Sequence, residues 1–485
     1  MNSAQPIITS TTANTMPAWV TGALCWLFAI LFGVWMLPNT IFIRSTCFVV
    51  GGLLGLYVIV WQLRHGLKLV QAKALPILLI VLLFVWVTIH LLWLGADPQA
   101  QFAEFTRSWK KIMLCFPFAL GLGLALRSAI NAAPAQQSKI LNRYWQIIYL
   151  GLMLPTIFFL IKYLLNIWAT SQQIELSPFL TLSEDYLYNR FGMSKAWYVF
   201  FCLPGFAVAL GIITQAILKN AFSLRVHGIY LLSMVAILCT FYLQAVRNGM
   251  IYAALLIVIA IVRAARAVLR SGSRKQVLLL LAICMILVGM VAASIYKHPQ
   301  WKMMVADAKV AVQLEKFDHW KYQNHLGKGY PVNEYGQTVN LSNYERVAWG
   351  LVGAKLLVEN PQGYGLMSLS FDRLTKAKWP DSYLSMTHSG WLDFALGYGI
   401  PGLGLLVSAL VLAWRNSKEM IQPWVYLGRW GLGSVGLLMI STELSSEIFI
   451  NAIVFIVLMI AGLVLDLGVK GNVGSSEFKK QGVSN

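Results

Sequence analysis

The chain has 485 residues, of which 58% are hydrophobic and 12% are charged, and its formal net charge is +19. A soluble globular protein carries about 25% charged residues, so this composition excludes a single soluble core and predicts an all-α polytopic membrane protein. The basic residues lie in short segments between apolar runs rather than in a separate basic domain. That distribution orients membrane proteins and gives no reason to expect nucleic-acid binding.

Residues 1–15 carry no Lys or Arg, so they lack the basic start of a cleaved signal peptide, and we expect the first span to be retained. Twelve apolar runs are long enough to cross a bilayer. They are 17–36, 42–62, 75–95, 111–127, 144–166, 196–218, 228–246, 249–270, 276–296, 389–414, 423–443 and 446–468. All six cysteines lie inside such runs, and we interpret them as small core residues.

The short loops set the orientation, because Lys and Arg concentrate on the cytoplasmic side of a membrane. With the N-terminus inside, the connection after the eighth span is the richest in basic residues, from Arg263 to Lys275. The sequence therefore predicts about twelve transmembrane helices with both ends inside. The predicted parts are residues 1–296 with spans one to nine, 297–388 as one large, mainly helical loop outside, 389–468 with the last three spans, and 469–485 as an inner tail.

Several basic residues break this pattern because they lie on the predicted outer side. They are Arg107, Lys110 and Lys111, then Arg190 and Lys195, then Arg247 in the turn 246–249, and Arg346 in the large loop. Arginines at a membrane edge usually face a cavity or a partner, although they also extend toward lipid phosphates. We leave both interpretations open for the first three and favour ligand binding for Arg190 and Arg247.

A guanidinium binds phosphate oxygens through two parallel hydrogen bonds and keeps its charge there. Arginines that converge at a membrane surface therefore favour a lipid-linked pyrophosphate as ligand. The outer residues contain no strong metal motif, since Asp318-His319, His325 and Glu184-Asp185 lack the required spacing. We predict that arginines neutralise the diphosphate without a metal or a cofactor.

The large loop contains a predicted helix and a histidine at its end. Val347, Leu351, Ala354 and Val358 recur at helical spacing, and the helix should stop at Asn360-Pro361. His388 stands at the mouth of the next span, where a structural role is common. The glycines after it let another segment approach closely. An imidazole, with a reference pKa of about 6.5, can take a proton from an acceptor hydroxyl near neutral pH.

Three short motifs follow one another in this region. They are Arg346-x-x-Trp349, Asn360-Pro361-x-Gly363-x-Gly365, and His388-x-x-x-Leu392 leading to Gly399-Ile400-Pro401-Gly402-Leu403. Together they resemble the signature of the superfamily of O-antigen ligases, O-antigen polymerases and bacterial O-linked oligosaccharyltransferases. The resemblance covers roughly 180–405, and the twelve-span layout agrees with it. Many relatives have His-Asn where this chain has His388-Ser389, and an acidic residue near Gly397; these differences concern the acceptor contacts.

The resemblance implies a membrane glycosyltransferase, with O-antigen ligase as the favoured branch. Such an enzyme moves a glycan from undecaprenyl pyrophosphate to a lipid A-core hydroxyl at the periplasmic face of the bacterial inner membrane, without metal or ATP. The family's functional arginines carry over onto Arg190 and Arg247, which would hold the diphosphate, and its histidine onto His388, which would deprotonate the acceptor for an inverting attack. Further expected substrate contacts are Arg346, Lys195, Trp349 and Ser389.

Other classes of function remain open. An O-antigen polymerase or an O-linked protein oligosaccharyltransferase would use the same kind of donor with a different acceptor. A transporter of lipid-linked glycans would also have many spans, but repeat-related halves and charges near the midplane are typical of transporters, and the sequence shows neither. A non-catalytic scaffold that binds lipid would tolerate the loss of His388.

Overall fold

The computed structural model describes residues 16–68, 70–132, 138–182, 192–271, 274–297, 300–322, 329–442 and 447–467. Within these ranges the chain is helical, and the one strand-like pairing is an isolated bridge between Val332 and Thr338. The all-α prediction is thus confirmed. The helices are α1 (Ala18–Val34), α2 (Ile41–Arg64), α3 (Leu75–Ile89), α4 (Pro98–Glu104), α5 (Lys110–Asn131), α6 (Ser138–Ser171), α7 (Lys195–Leu218), α8 (Leu224–Leu243), α9 (Arg247–Ser271), α10 (Arg274–Lys297), α11 (Gln300–Ala311), α12 (Leu341–Glu359), α13 (Ser370–Lys378), α14 (Gly390–Asn416), α15 (Trp424–Tyr426), α16 (Leu432–Leu438) and α17 (Glu447–Val464).

Helices of membrane-spanning length dominate the described residues. Eight helical segments are long and apolar enough to cross a bilayer: Ile41–Arg64, Ala72–Leu94, Pro98–Asn131, Lys139–Ser171, Lys195–Leu218, Leu224–Leu243, Arg247–Ala267 and Gly390–Glu419. Three shorter apolar helices coincide with further predicted spans: Ala18–Val34, Val277–Ala293 and Ile448–Val464. In the remaining predicted span, α15 and α16 are joined by a π-helical turn at Leu427–Gly431. A multi-pass membrane protein is therefore confirmed, while the number twelve stays a prediction.

The centre of the bundle is α7, whose apolar window is 89% buried. It packs against α6, α8, α9 and α16. Small residues let other helices approach closely, as they do in membranes, where tight packing replaces the hydrophobic drive. A Cβ on Gly123 of α5 would lie only 2.2 Å from the carbonyl oxygen of Met459 in α17, so this crossing requires glycine.

The large loop has a hydrophobic core of its own, separate from that of the bundle. Its buried members are Val310, Ala311, Trp320, Val339, Tyr344, Ala348, Trp349, Val352, Leu356, Phe371, Leu374, Leu384 and Leu396. Three helices, α11, α12 and α13, lie in this part of the chain, so its mainly helical character is confirmed in the described residues. The side of the membrane on which it lies stays a prediction.

The predicted helix of the loop is α12, and it ends at Glu359 as expected, but the apolar residues whose spacing predicted it do not form its buried face. Val358 is 80% exposed and Leu351 is 38% exposed. The buried face instead contains Tyr344 and Trp349, which belong to the loop core. Apolar residues occur all round this helix, so their spacing did not select a face, and the large aromatic side chains decided the packing.

One membrane-spanning helix, α14, is interrupted. Gly399 has φ 70° and ψ −177°, which breaks the helical hydrogen-bond pattern. The backbone N–H of Tyr364 donates to the carbonyl of Leu396 at 2.8 Å, and that of Gly365 donates to the carbonyl of Gly397 at 2.7 Å. These bonds satisfy carbonyls that would otherwise be costly inside an apolar span.

Residues 361–365 of the loop lie so close to α14 that neither Gly363 nor Gly399 has room for a side chain. A Cβ on Gly363 would lie 2.3 Å from the backbone N of Gly399, and a Cβ on Gly399 would lie 2.3 Å from the carbonyl carbon of Gln362. The N–H of Ile400 closes the contact by donating to the carbonyl of Pro361 at 2.8 Å. The prediction that glycines after His388 admit another segment is confirmed for Gly397 and Gly399, whereas Gly404 has no neighbour within 4 Å. The contact fixes the loop onto the membrane-spanning part.

Candidate functional site

Arg247, the first residue of α9, contacts the first turn of α12. Its Nη1 donates to Asn343 Oδ1 at 3.0 Å, and its Nη2 donates to the Ser342 hydroxyl at 3.4 Å. Arg346 lies one helical turn further along α12, and its charge acts on Arg247. The two guanidinium charges repel each other, and the carboxylate of Asp307 also acts on Arg247. An anion bound between the two arginines would relieve that repulsion.

A buried carboxylate supports this arrangement from α11. Asp307 is fully buried and accepts hydrogen bonds from Asn343 Nδ2 at 2.8 Å and from Asn333 Nδ2 at 3.0 Å. The backbone N–H of Asn340, which caps α12, donates to the same carboxylate at 3.3 Å. Because the amide nitrogen of Asn343 is turned toward Asp307, its carbonyl oxygen is turned toward Arg247. The loop thereby orients the arginine.

His388 precedes the N-cap of α14 and has a positive φ of 59°. A non-glycine residue in this region costs about 1–3 kcal/mol and persists only where its surroundings hold it. Its ring stacks on the indole of Trp349, with centroids 5.3 Å apart and planes inclined by 6°. Trp349 is fixed in turn, because its Nε1 donates to the carbonyl of Trp320 at 3.0 Å. The imidazole is half-buried and held in one orientation.

Asp393 fixes the turn that carries His388. Its Oδ1 accepts from the backbone N–H of Thr387 at 2.8 Å and from the Thr387 hydroxyl at 2.7 Å. The N–H of Ser389 donates to that hydroxyl oxygen at 3.2 Å. The carboxylate is buried in the first turn of α14, where the helix dipole favours negative charge. Asp393 therefore positions the residues on both sides of His388.

A second carboxylate lies near the histidine. Tyr383 donates its hydroxyl hydrogen to Glu345 Oε1 at 2.8 Å, and His388 lies within range of the Glu345 charge. Burial raises the pKa of Glu345 above its usual value, although the Tyr383 hydrogen bond and the His388 charge oppose the shift. A carboxylate here would stabilise the positive charge that His388 acquires when it takes a proton.

The helices that carry these groups are joined through the end of α16 and the segment after it. The backbone N–H of Trp391, at the start of α14, donates to the carbonyl of Met439 at 3.2 Å, and its Nε1 donates to the carbonyl of Gly436 at 3.1 Å. In α9, the hydroxyl of Tyr252 lies 2.8 Å from the hydroxyl of Ser441. The end of α9 with Arg247 and the end of α14 next to His388 therefore share one support.

The structure brings four of the predicted site residues together around α12. Arg247 contacts its first turn and Arg346 lies one turn further along. His388 stacks on Trp349, six residues beyond Asn343 and so about 9 Å along the helix axis. Ser389 follows His388 directly as the N-cap of α14.

Other predicted residues lie elsewhere. Lys195 is the half-buried first residue of α7. Arg107 donates to the Ser368 hydroxyl at 3.5 Å, in a cluster around the buried Glu104 that also accepts from the Ser368 hydroxyl at 2.9 Å. Arg190 lies outside the described residues. Its role in holding the diphosphate stays a prediction, as do the roles of the other site residues.

The sequence motifs missed the supporting residues. Glu345 adjoins Arg346, and Asp393 lies in the first turn of the helix that follows His388. Acidic residues next to the motif residues were therefore a signal that the sequence offered. Asp307 and Asn343 offered no such signal, because they lie in parts of the loop without a motif. In the described parts of the chain, no three His, Cys, Asp or Glu side chains come together as metal ligands. The metal-independent reaction stays a prediction.

The sequence model of the O-antigen ligase family matches residues 232–407, about a third of the chain. The matched range contains Arg247, Arg346, Trp349 and His388. No curated protein matches the chain. The match confirms the resemblance to the O-antigen ligase superfamily that the motifs showed, and it supports a membrane glycosyltransferase of the ligase or polymerase type.

Proposed function

We propose that the chain is an O-antigen ligase, which transfers an O-antigen glycan from undecaprenyl pyrophosphate to a sugar hydroxyl of lipid A-core. The reaction inverts the anomeric carbon, needs no metal, and takes place at the periplasmic face of the bacterial inner membrane. The observation that carries this proposal is the pairing, on one helix, of an arginine site and a stacked histidine. The match to the O-antigen ligase family covers both.

The arginines act on the donor. Negative charge grows on the diphosphate as its bond to the anomeric carbon breaks, and preorganised guanidinium groups stabilise that charge. Arg247 has five N–H donors, of which two are directed at Asn343 and Ser342, so the others remain for phosphate oxygens. Arg346 is exposed and approaches from the solvent side. Arg190 is proposed as a third group at the diphosphate.

His388 acts on the acceptor. The acceptor oxygen bonds to the anomeric carbon while its proton passes to the unprotonated ring nitrogen of His388. The bond between the anomeric carbon and the diphosphate oxygen breaks on the opposite face, and its electron pair leaves with undecaprenyl pyrophosphate. Glu345 stabilises the imidazolium that forms. A diphosphate is a good leaving group, so no separate general acid is required.

The remaining predicted residues are assigned to substrate contacts. Trp349 is buried in the loop core, so it acts on the acceptor through the His388 ring that it orients, and Ser389 follows the base directly. Lys195, at the membrane edge, is assigned to the negative charge of the lipid-linked donor. The membrane lipids around the spans complete the proposed partners.

Lipopolysaccharide gels test the choice among the glycosyltransferase branches. A strain that lacks this chain should show the lipid A-core band at full intensity without the O-antigen ladder, because the transfer step is lost while core synthesis continues. The wild-type chain supplied in trans should restore the ladder. A ladder reduced to a single repeat would identify a polymerase, and unchanged lipopolysaccharide with loss of a glycoprotein would identify a protein oligosaccharyltransferase.

Thiol labelling tests the side of the membrane. The unobstructed Gly329 lies in the large loop, and Ser223 is exposed between α7 and α8, at the opposite end of the bundle. In cells with a permeabilised outer membrane, Gly329→Cys should react with a membrane-impermeant reagent, and Ser223→Cys should react only after the inner membrane is lysed. The unsubstituted chain gives the background of its own cysteines. The reverse pattern would place the proposed site in the cytoplasm.

A further inference from the structure

A groove of about 280 Å³ lies between α9, α14 and the turn that leads into α16. Most of its wall is apolar and includes Leu256, Ile259, Leu410, Val411 and Leu437. Ile259 is 38% exposed and Val411 is 42% exposed, so the groove is open on the outside of the bundle. In a membrane, that opening faces lipid.

The groove lies far from the candidate site. Along α9, Leu256 lies nine residues and Arg263 sixteen residues beyond Arg247, which corresponds to about 14 Å and about 24 Å at the rise of an α-helix. The hydrocarbon core of a bilayer is about 30 Å thick. The apolar end of the groove is therefore near the middle of the membrane, and Arg263 is near the headgroups of the opposite leaflet.

Two arginines lie at the headgroup end. The Arg429 guanidinium lies 3.7 Å from the ring centroid of Trp414, and that of Arg263 lies 5.8 Å from the ring centroid of Trp430. The two arginine charges act on each other. Among the residues that the structure describes, neither arginine forms an ion pair with a carboxylate. The groove thus ends in two like charges that no protein carboxylate of the described ranges neutralises.

Arg429 is held in place by its backbone and its neighbour. It lies in the π-helical turn Leu427–Gly431, a rare element that is frequent at functional sites. Its Nη1 donates to the carbonyl of Trp414 at 3.4 Å, and Trp414 Nε1 donates to the carbonyl of Arg429 at 2.9 Å. This reciprocal pair fixes the guanidinium against the indole, so little side-chain freedom is lost when an anion binds.

We propose that the groove binds one phospholipid with an anionic headgroup from the leaflet opposite the candidate site. Its phosphate lies between Arg263 and Arg429, and one acyl chain runs along Leu256 and Leu437 toward the middle of the membrane. We assign an anionic headgroup because two arginine charges lie at one end of the groove. We assign an acyl chain because the rest of the groove is apolar along its length. The bound lipid joins α9 to α14. At their other ends, α9 begins with Arg247 and α14 begins just after His388. The proposal does not depend on the transfer reaction.

Native mass spectrometry and thermal melting of the purified, delipidated full-length chain test this site. Dioleoylphosphatidylglycerol should bind and raise the melting temperature, whereas dioleoylphosphatidylethanolamine and inorganic phosphate at the same concentration should do so far less. Arg263→Gln and Arg429→Gln should each weaken phosphatidylglycerol binding about tenfold, the usual effect of losing a hydrogen bond to a charged group. Arg415→Gln, an exposed neighbour outside the groove, should bind as the parent does.

A second variant probes the apolar part of the groove and leaves both arginines in place. Val411→Trp should fill the groove and reduce lipid binding, while the lipid-free protein melts within a few degrees of the parent. Unchanged phosphatidylglycerol binding by the doubly substituted Arg263→Gln, Arg429→Gln chain would overturn the proposal. So would equal binding of the zwitterionic lipid. Binding of inorganic phosphate as strong as that of the lipid would identify a free anion as the ligand and would also overturn it.

Discussion

His388→Ala should slow the chemical step of glycan transfer by about 10²–10⁴-fold, which is the usual contribution of a general base. Donor binding should persist, because Arg247 is held by Asn343 and Ser342 rather than by the histidine. The measurement is single-turnover transfer from a lipid-linked donor, together with donor binding and melting temperature, on one preparation of purified protein.

Stability separates a catalytic histidine from a structural one. The ring is only half-buried and stacks on Trp349, so the variant should melt within a few degrees of the parent. His319→Ala makes the same substitution elsewhere in the large loop and should keep full activity. Normal transfer by well-folded His388→Ala would refute the base. An early-melting variant whose activity falls only with the amount of folded protein would show a structural role.

Arg247→Lys should reduce transfer by about ten- to a hundredfold while the chain stays folded. Lysine keeps the charge but loses the planar fork. Two bonds to Asn343 and Ser342 would leave a lysine one N–H group for a phosphate, whereas they leave arginine three. A hydrogen bond to a charged group is worth about 1.5–3 kcal/mol. Steady-state transfer with varied donor measures the loss, and Arg190→Lys should behave alike.

The matched control for Arg247→Lys is Arg107→Lys, because Arg107 is also basic and lies on the same predicted side but is exposed beside Ser368. Its effect should be mild. Full activity of Arg247→Lys would mean that this arginine only reaches lipid phosphates. A loss as large for Arg107→Lys would mean that surface charge in general, rather than the pair around α12, binds the donor.

Local sequence patterns predicted the membrane-spanning helices and the end of α12, because hydropathy and a helix stop are properties of neighbouring residues. They also indicated Arg247, as a basic residue on the predicted outer side, and His388, as part of a motif. Asn343 and Asp307, which support Arg247, could not be predicted in this way. The bond between Arg247 and Asn343 joins residues 96 positions apart, and that between Asn343 and Asp307 joins residues 36 apart.

The face of α12 shows the same limit on a smaller scale. Its apolar residues surround the helix, and the spacing that predicted the helix includes Leu351 and Val358, which are exposed. The stack of His388 on Trp349 and the bond from Trp349 to the carbonyl of Trp320 select the other face. Those partners come from segments that meet only in the folded loop, and no periodicity in α12 itself encodes them.

The contact between residues 361–365 and the interrupted turn of α14 also sets how this protein can be recombined with its relatives. A graft that replaced only the large loop would end before residue 396 and would place foreign backbone against the carbonyls of Leu396 and Gly397. A mismatch of one residue in length would shift the N–H groups of Tyr364 and Gly365 away from those acceptors. Because Asp307 and the carbonyl of Trp320 also bind residues of α12, the exchangeable module is residues 297–400, the whole loop and the broken turn together, and acceptor specificity is best transplanted in that unit.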